Sequence, residues 1–402
     1  MEKGALSGLR ILEFAHFISG PFCTKLMSDL GAEVIKVEEP KVGDEARRKP
    51  PFLKDVSHPE RSGLFLYLNT NKLGITLNLK SITGREIFRR LAGQADVFVE
   101  SNPPSAMESL GLGYDTLKRV NSRLIMTSIT SFGQTGPYRN YKACDLVSFN
   151  MGGMTYVTPD WVADPDRDPP LKGGGRQADF NTGLTAALIT MAAIHARHST
   201  GLGQHVDVSE QEAVASALAR VFVLQSSGAV GRRRGDAPTM ERPLPCKDGY
   251  IEFHCVEGYH WQAFMKAMGN PEWGNDEQFK DYYARCRNWK ILEPLLSQWT
   301  MERTKEQIYH TMQAERVAFS PVNTTKDLLG SAQLSARGFF VDISHPDAGK
   351  LTYPGTPFKF SRTPSQADIP APLLGQHNEE ILCGRLGYAR QEVEEMKREG
   401  VI

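Results

Sequence analysis

Short apolar runs alternate with amphipathic segments through the first 130 residues, and this alternation constrains the fold more than any other feature. Segments 9–14, 32–37, 74–79, 96–100 and 124–129 predict strands, whereas 22–30, 83–91 and 114–121 have helical spacing. Strands that alternate with helices are typical of a parallel sheet joined by helical connections. We therefore predict an α/β fold with a large Rossmann-like domain built on a mostly parallel sheet.

The chain is too long for one ordinary hydrophobic core, because its 402 residues exceed the usual size of a single domain. Glycine and arginine dominate 228–235, which predicts a crossover linker there. We expect residues 1–226 to form the first part of the large domain and residues 227–325 a smaller α+β domain. Residues 326–402 are then a return segment that completes the large domain.

The charges of the chain balance, with 47 Lys and Arg against 47 Asp and Glu, so nothing indicates nucleic acid or an anionic membrane as a partner. No apolar run approaches the length of a membrane span. The six cysteines are scattered, without a C-x-x-C pair or a zinc-like spacing with histidine. These features predict a soluble cytoplasmic protein with reduced thiols and no metal site.

Ligands of parallel α/β sheets bind beyond the carboxyl ends of the strands. The loops that we assign to that edge are 15–21, 69–73, 100–105 and 130–142. No G-x-G-x-x-G lies between the first strand and the following helix, which disfavours a dinucleotide-dependent dehydrogenase.

A glycine run at 173–175 precedes one carboxylate, Asp179, and then a long apolar segment at 184–194. Glycines let a backbone approach a ligand closely, since no Cβ intrudes. An aspartate at a helix start lies among unpaired N–H groups, so we expect Asp179 to be ionised and fixed in place. Both a helix cap and a carboxylate nucleophile are consistent with this stretch alone.

Several motifs, in order along nearly the whole chain, resemble the class III CoA-transferases, the family of formyl-CoA transferase and the carnitine CoA-transferase. The resemblance is carried by 6–14 with Gly20-Pro21, 30–38, Asn71-Lys72, 95–100, 131–138 (Ser-Phe-Gly-Gln-Thr-Gly-Pro-Tyr), 200–208, 247–250, 337–340 and 374–377. Each motif is weak by itself, but their order and spacing are specific.

The resemblance implies that Asp179, in Ala-Asp-Phe-Asn-Thr-Gly at 178–183, is the nucleophile of a CoA transfer. Its carboxylate would attack a donor thioester, possibly succinyl-CoA, and then carry CoA as an aspartyl thioester to an acceptor acid. Coenzyme A and acyl-CoA are thus substrates, and neither a prosthetic group nor a metal is needed because the carboxylate is the covalent catalyst.

The resemblance also implies a CoA site. Its candidate residues are His16, Phe17, Ser19, Asn71, Lys72, Leu77, Asn78, Lys80, Ser101, Asn102 and Lys142. Lys142 matches a basic residue near the phosphates, although a solvated surface lysine is an equal alternative. The chain departs from the family pattern at 101–105, at Glu39 and at Ser109, so we expect Arg47, Arg48 or Lys72 to contact the phosphates instead.

Other functions remain open. A 2-methylacyl-CoA racemase of the same fold would need an acid and a base, but Cys144-Asp145 stands where racemases have His-Asp. We expect Cys144 to be a buried structural thiol and Asp145 a hydrogen-bonding partner within the site. A non-catalytic subunit of a heteromeric transferase and a CoA-binding regulatory protein are further alternatives. The resemblance implies an interlocked homodimer, with a heteromer possible.

Overall fold

The protein is described by a computed structural model over residues 4–159, 162, 164, 167–228, 240–365 and 368–402. Its strands are β1 (Arg10–Phe14), β2 (Glu33–Glu38), β3 (Lys72–Thr76), β4 (Val97–Glu100), β5 (Ile125–Thr130), β6 (His205–Ser209), β7 (Glu241–Cys246), β8 (Gly249–His254), β9 (Ser320–Pro321), β10 (Phe340–His345) and β11 (Gly349–Pro354). Its α-helices are α1 (Ser19–Ser28), α2 (Gly63–Leu68), α3 (Ile82–Gln94), α4 (Ala106–Ser109), α5 (Tyr114–Val120), α6 (Asp145–Met151), α7 (Gln177–Thr200), α8 (Glu210–Ser216), α9 (Ala219–Ser226), α10 (Gly258–Ala267), α11 (Tyr282–Arg287), α12 (Trp289–Met301), α13 (Lys305–Ala314), α14 (Thr325–Leu329), α15 (Ala332–Ala336) and α16 (Arg390–Arg398).

The predicted α/β fold is confirmed. Six parallel strands form one sheet in the order β3-β2-β1-β4-β5-β6. The order reverses between β1 and β4, and a crevice for ligands is expected at such a reversal. The loop at 69–73 precedes β3, so our prediction that it lies beyond a carboxyl end is wrong.

Both faces of the sheet are covered, which explains why its strands read as almost continuous apolar runs. On one face, Leu12 and Phe98 pack with Ile87 of α3. On the other face, Ile11 packs with Met27 of α1, and α7 contributes to the same core through its small and apolar residues. The sheet therefore holds α1 and α7 on one face.

Helix α1 begins at Ser19, before Gly20-Pro21, rather than at residue 22, where the predicted helical spacing starts. Pro21 is tolerated because the first turn of a helix has no intrahelical partner for its N–H groups. Helices α1 and α7 approach closely, since a Cβ at Gly183 would lie 2.6 Å from the Ser19 carbonyl oxygen. Glycine at 183 thus permits contact between the two helices one turn beyond Asp179.

The chain divides into two compact units, one of 1–155, 172–229 and 336–402 and one of 156–171 and 230–335. We expected the divisions at 226 and 325, and the inclusion of 156–171 in the second unit was not foreseen. The second unit contains the antiparallel sheet β7-β8-β9 and an aromatic core that includes Phe253, Phe264 and Trp289. Most of the predicted linker at 228–235 lies outside the described residues.

The return segment packs on the outer edge of the large sheet. His377 accepts from the Gly74 N–H at Nδ1 (2.9 Å) and donates its own N–H to the Gly74 oxygen (2.9 Å). Ile381 and Leu382 join the core beside α3. These contacts give the motif at 374–377 a structural role in the first unit.

Candidate functional site

The loops after β1 and β4 meet at the reversal of strand order. The His16 N–H donates to Ser101 Oγ (2.9 Å), and Asn102 Nδ2 donates to the Phe14 oxygen (3.1 Å). Burial lowers the pKa of His16, which favours its neutral form. The structure therefore brings His16, Ser101 and Asn102 of the predicted CoA site together at one edge of the sheet.

A buried charge network fixes the loop after β1. Phe17 has a φ of 68°, and its N–H donates to Asp44 Oδ1 (2.9 Å). Asp44 Oδ2 pairs with Lys36 Nζ (2.7 Å), which also pairs with Glu13 (2.7 Å). Burial opposes the charge of Asp44, but the Lys36 ammonium holds the pKa of that carboxyl below its usual value. A left-handed, non-glycine residue is thus held in place beside the crevice.

Asp179 is the third residue of α7 and is only 5% exposed. Its Oδ2 has no hydrogen-bond partner within the described parts of the chain, so Asp179 does not cap the helix. Burial, then the charges of Glu210 and Asp145, raise the pKa of Asp179 to about 8. We expected an ionised carboxylate, whereas burial and the two like charges disfavour the ionised form at this position.

Asp145, the first residue of α6, supplies the hydrogen bonds at the start of α7. Its Oδ1 accepts from the N–H groups of Ala178 (3.0 Å) and Asp179 (3.3 Å), and its Oδ2 pairs with Lys172 Nζ (2.8 Å). Lys172 Nζ also donates to the Gly175 oxygen (2.6 Å). Asp145 therefore has the hydrogen-bonding role that we predicted, and it links the glycine run to the backbone of Asp179.

Glu210 was missed in the sequence. It follows β6 directly, is 8% exposed, and accepts hydroxyl donors from three separate segments. Ser19 donates to Oε1 (2.8 Å), whereas Ser148 (2.7 Å) and Ser131 (3.4 Å) donate to Oε2. The one available signal was a Ser-Glu pair directly after the motif at 200–208, and this pair does not reveal partners that are 62 to 191 positions away.

Arg176 precedes α7 and is exposed. Its guanidinium carbon lies 4.9 Å from the centroid of the Phe17 ring. No carboxylate pairs with this guanidinium among the residues that the structure describes. Its charge, with that of Lys172, acts against the raised pKa of Asp179. Arg176 thus lies over the Phe17 ring, and no carboxylate of the described residues engages its donors.

Two predicted residues lie at the amino end of β3. Asn71 Nδ2 donates to Asp29 Oδ1 (2.9 Å). Lys72 is buried, and its Nζ contacts Glu13 Oε2 (2.9 Å), the Pro21 oxygen (2.8 Å) and Asn69 Oδ1 (3.0 Å). Burial lowers the pKa of Lys72 to about 8. All three donors of this ammonium are occupied inside the fold, which argues against our suggestion that Lys72 contacts a phosphate.

The remaining candidates around β3 have diverse environments. Leu77 belongs to the core, and the Asn78 N–H donates to the Val401 oxygen (2.7 Å). Lys80 is exposed at the surface and pairs with Glu39 (3.0 Å). Lys142 is exposed in the loop after β5. The structure brings none of the three polar side chains, those of Asn78, Lys80 and Lys142, into contact with Asp179.

Of the arginines suggested for phosphate binding, Arg47 is buried and pairs with Glu38 (2.7 Å) and Glu60 (2.5 Å). This placement argues against a phosphate contact, because both carboxylates would have to be displaced. Arg48 is exposed and donates to the Val42 oxygen. Arg48 is thus the one of the two that remains accessible.

All six cysteines are free, and Cys144 is exposed, so our expectation that Cys144 is buried is wrong. It lies just before α6, where the backbone reaches the surface of the unit.

Within the described residues, no group of three or more His, Cys, Asp or Glu side chains is arranged to hold a metal. No helix in those same ranges has the length and apolar character needed to cross a membrane.

Comparison with known proteins connects this geometry to one family. Residues 6–378 match the family model for CoA-transferase family III. The chain is 33% identical to a formyl-CoA:oxalate CoA-transferase of Streptomyces coelicolor, over 100% of both chains. It is 35% identical to the succinyl-CoA:(R)-benzylsuccinate CoA-transferase subunit BbsE of Thauera aromatica, over 95% of both. A crystal structure of a CaiB/BaiF family protein from Brucella suis aligns with a TM-score of 0.84 at 32% identity, covering 96% of this chain and 100% of that one.

Proposed function

Since this chain belongs to CoA-transferase family III and is an enzyme of the CoA-transferase type, we propose that Asp179 carries CoA as a thioester between a donor acyl-CoA and an acceptor carboxylic acid. The observation that supports this most is the unpartnered Oδ2 of a buried carboxylate with a raised pKa. A structural aspartate at a helix start would use that oxygen to accept a hydrogen bond.

The reaction begins when an ionised Asp179 oxygen attacks the carbonyl carbon of the donor thioester. The C–S bond breaks, CoA leaves as a thiolate, and an aspartyl mixed anhydride forms. The thiolate then attacks the aspartyl carbonyl, releasing the donor acid and leaving an aspartyl-CoA thioester. The acceptor acid reverses both steps, so that no oxidant or other co-reactant is consumed.

The neighbours of Asp179 have supporting roles in this scheme. Asp145 holds the N–H groups of Ala178 and Asp179, which fixes the direction of the nucleophile. The loop with His16 and Phe17 lies at the crevice where we propose that CoA binds, together with Ser19 and Ser101. A nucleophile held in one orientation reacts faster because less conformational freedom is lost in the transition state.

We propose further that the exchanged acids are dicarboxylic, with succinyl-CoA as a donor. Arg176 supports this, since its free guanidinium lies on the Phe17 ring and carries a charge that acts on Asp179. A planar guanidinium is suited to bind a carboxylate through two parallel hydrogen bonds. The names of the two relatives include oxalate, which is a dicarboxylate, and succinyl-CoA, which is the CoA thioester of a dicarboxylic acid.

The function is tested by incubating the protein with succinyl-CoA and a panel of free mono- and dicarboxylic acids. Mass spectrometry then detects any new acyl-CoA. Exchange is expected with dicarboxylic acids in preference to monocarboxylic acids. Absence of any exchanged thioester across the panel would contradict the proposed activity. Deuterium incorporation at the α-carbon of a 2-methylacyl-CoA would instead support the racemase alternative.

Replacing Arg176 with glutamine should raise the KM for succinate by about 10- to 100-fold, since a charge-assisted hydrogen bond contributes about 1.5–3 kcal/mol. The KM for a monocarboxylic acid such as butyrate should change little. Steady-state kinetics with both acids measure this difference. Arg119→Gln, at an exposed position of α5, is the control. An equal rise of KM for both acids would argue against selective recognition of the second carboxylate.

We also propose that the chain forms a homodimer, and that exposed apolar residues of α7 and of α9 together make up the dimer surface. This surface includes Leu184, Leu188 (67% exposed) and Ile189 on α7, and Phe222 and Val223 (66% exposed) on α9. Exposed apolar areas of this kind are typical of protein interfaces. A second copy of the chain is the partner that we favour. We also propose a cytoplasmic location, with which the six free thiols are consistent.

The double substitution Leu184→Glu and Leu188→Glu should convert the dimer to a monomer, because a charge is costly to bury in an interface. Light scattering coupled to gel filtration should give twice the chain mass for the wild type and the chain mass for the variant. Ile82→Glu, at an isolated exposed residue of α3, should leave the dimer intact. A monomeric wild type would contradict the homodimer, and recovery of activity only with another chain would favour a heteromer.

A further inference from the structure

Glu210 is a buried carboxylate whose charge has no cationic partner within the described ranges. The hydroxyls of Ser19, Ser131 and Ser148 donate to it from α1, the loop after β5 and α6. Hydroxyl donors stabilise a buried carboxylate without neutralising it. A negative charge is therefore maintained at the start of α8.

Hydrogen bonds connect this charge to the surroundings of Asp179. Ser148 lies one turn along α6 from Asp145, whose Oδ1 accepts the Asp179 N–H. Ser19 donates to Glu210, while its carbonyl oxygen lies against α7 at Gly183. Helix α8 itself is joined to α7, since Asn181 Nδ2 donates to the Ala213 oxygen (3.0 Å).

Four charged groups from the packed segments act on Asp179. Asp145 comes from α6, Glu210 from α8, and Lys172 and Arg176 from the segment before α7. Asp145 is compensated by Lys172 at 2.8 Å, and α1 brings the uncharged hydroxyl of Ser19. Glu210 is thus the uncompensated negative charge of the group, and Arg176 is the cation that a bound anion is free to engage.

We propose that Glu210 is a fixed negative charge that favours the uncharged, CoA-bound form of Asp179 over its free carboxylate. This inference rests on the proposed function, in which Asp179 becomes a thioester. The free carboxylate has one negative charge, whereas the anhydride and the thioester have none at this position. When the anhydride forms, the negative charge is carried by the CoA thiolate. When the thioester forms, it is carried by the released donor acid. Repulsion by Glu210 therefore disfavours the starting state and not the covalent states.

The dependence on pH distinguishes this role from a merely structural one. Where Asp179 is ionised, its conversion to the thioester removes a charge beside Glu210, and repulsion assists the reaction. Where Asp179 is protonated, a neutral group replaces a neutral group and a proton is released, so Glu210 has no net effect on the equilibrium. Loss of the Glu210 charge should therefore reduce thioester formation above the pKa of Asp179 and leave it unchanged well below that pKa.

The experiment incubates the protein with a fixed ratio of succinyl-CoA to succinate, without any other acceptor, between pH 6 and pH 9. Acid quenching and intact-protein mass spectrometry give the ratio of thioester to free enzyme. At pH 9 the Glu210→Gln variant should show a ratio of thioester to free enzyme about tenfold lower than wild type. The reason is that one nearby charge commonly changes the pKa of a carboxyl by about one pH unit. At pH 6 the two proteins should agree within about twofold.

Two matched variants separate charge from shape. Glu210→Asp keeps the charge and should retain most of the wild-type ratio, whereas Glu212→Gln removes an exposed charge from the same helix and should have no effect. If Glu210→Gln does not fold, Glu210→Met removes the charge with a flexible side chain and is measured in its place. An equal ratio in wild type and the uncharged variant at pH 9 overturns the inference. Absence of any thioester on the wild type instead overturns the proposed function itself.

Discussion

Replacing Asp179 with alanine is expected to abolish CoA exchange, reducing kcat by about 10⁴-fold or more, as is usual for the loss of a covalent nucleophile. Neither of the two carboxylates that act on Asp179 is placed to substitute for it, since Asp145 is engaged by Lys172 and two N–H groups, and Glu210 by three hydroxyls. Mass spectrometry of the exchanged acyl-CoA gives the rate. The protein with CoA attached should at the same time be missing from the intact-protein mass spectrum.

Binding of CoA should persist in the Asp179→Ala protein, with a Kd within about threefold of wild type. The loops after β1 and β4 do not use the Asp179 side chain for any of their hydrogen bonds. Titration calorimetry with CoA measures this, and Asp115→Ala on the exposed surface of α5 is the control for the substitution. Exchange above about a tenth of the wild-type rate would show that another residue is the nucleophile. Loss of both binding and exchange would indicate a structural role instead.

The sheet could be predicted because its determinants are local. Strands such as 9–14 and 124–129 are short, mostly apolar runs, and the helices between the strands have their own spacing. The position of Asp179 at the start of a long helix follows from the glycine run and the apolar segment beside it. The parallel sheet then brings the loops after β1 and β4 to one edge, as the fold class implies.

The electrostatics of the site could not be predicted in the same way. Whether Asp179 is ionised depends on burial and on the charges of Asp145 and Glu210, which lie 34 and 31 residues away along the chain. From the stretch alone, a helix cap and a nucleophile were both consistent with Asp179, and its carboxylate was expected to be ionised among the N–H groups of a helix start. Tertiary packing reversed this, since Asp145 occupies the N–H groups and leaves the Asp179 side chain without them.

Tertiary packing also explains why the environments of the basic residues could not be predicted from the sequence. Lys72 and Arg47 were candidates for phosphate contacts because the chain departs from the family pattern at Glu39 and Ser109, so that other basic residues were needed. Both are buried, and each is paired with glutamates of β1 or β2. A buried cation is stable only with such partners, and the sequence does not show which acid faces it.

Replacing Asp179 with asparagine is expected to stabilise the folded protein by about 3 kcal/mol at pH 9 and to have almost no effect at pH 4. The folded-state pKa of this carboxyl is raised from 3.8 to about 8. A group of this kind stabilises the fold fully only below its unfolded pKa, and this stability is lost as the pH rises toward 8. A tenfold change in proton affinity corresponds to about 1.4 kcal/mol of folding free energy. Local rearrangement around the charge makes the expected stabilisation smaller than the value that the whole change in pKa would give.

Urea denaturation at equal protein concentration, from pH 4 to pH 9, measures this difference as a function of pH. The advantage of Asp179→Asn should grow steadily between pH 4 and pH 8 and then level off. Asp145→Asn is the matched control, with the opposite expectation of a loss of about 2 kcal/mol near neutral pH. That substitution leaves Lys172 without its carboxylate and weakens the bonds to two N–H groups of α7. Equal stability of wild type and Asp179→Asn at pH 9 would contradict the raised pKa. A stable variant without exchange would mean that the enzyme gives up folding stability to keep a reactive carboxylate at the crevice.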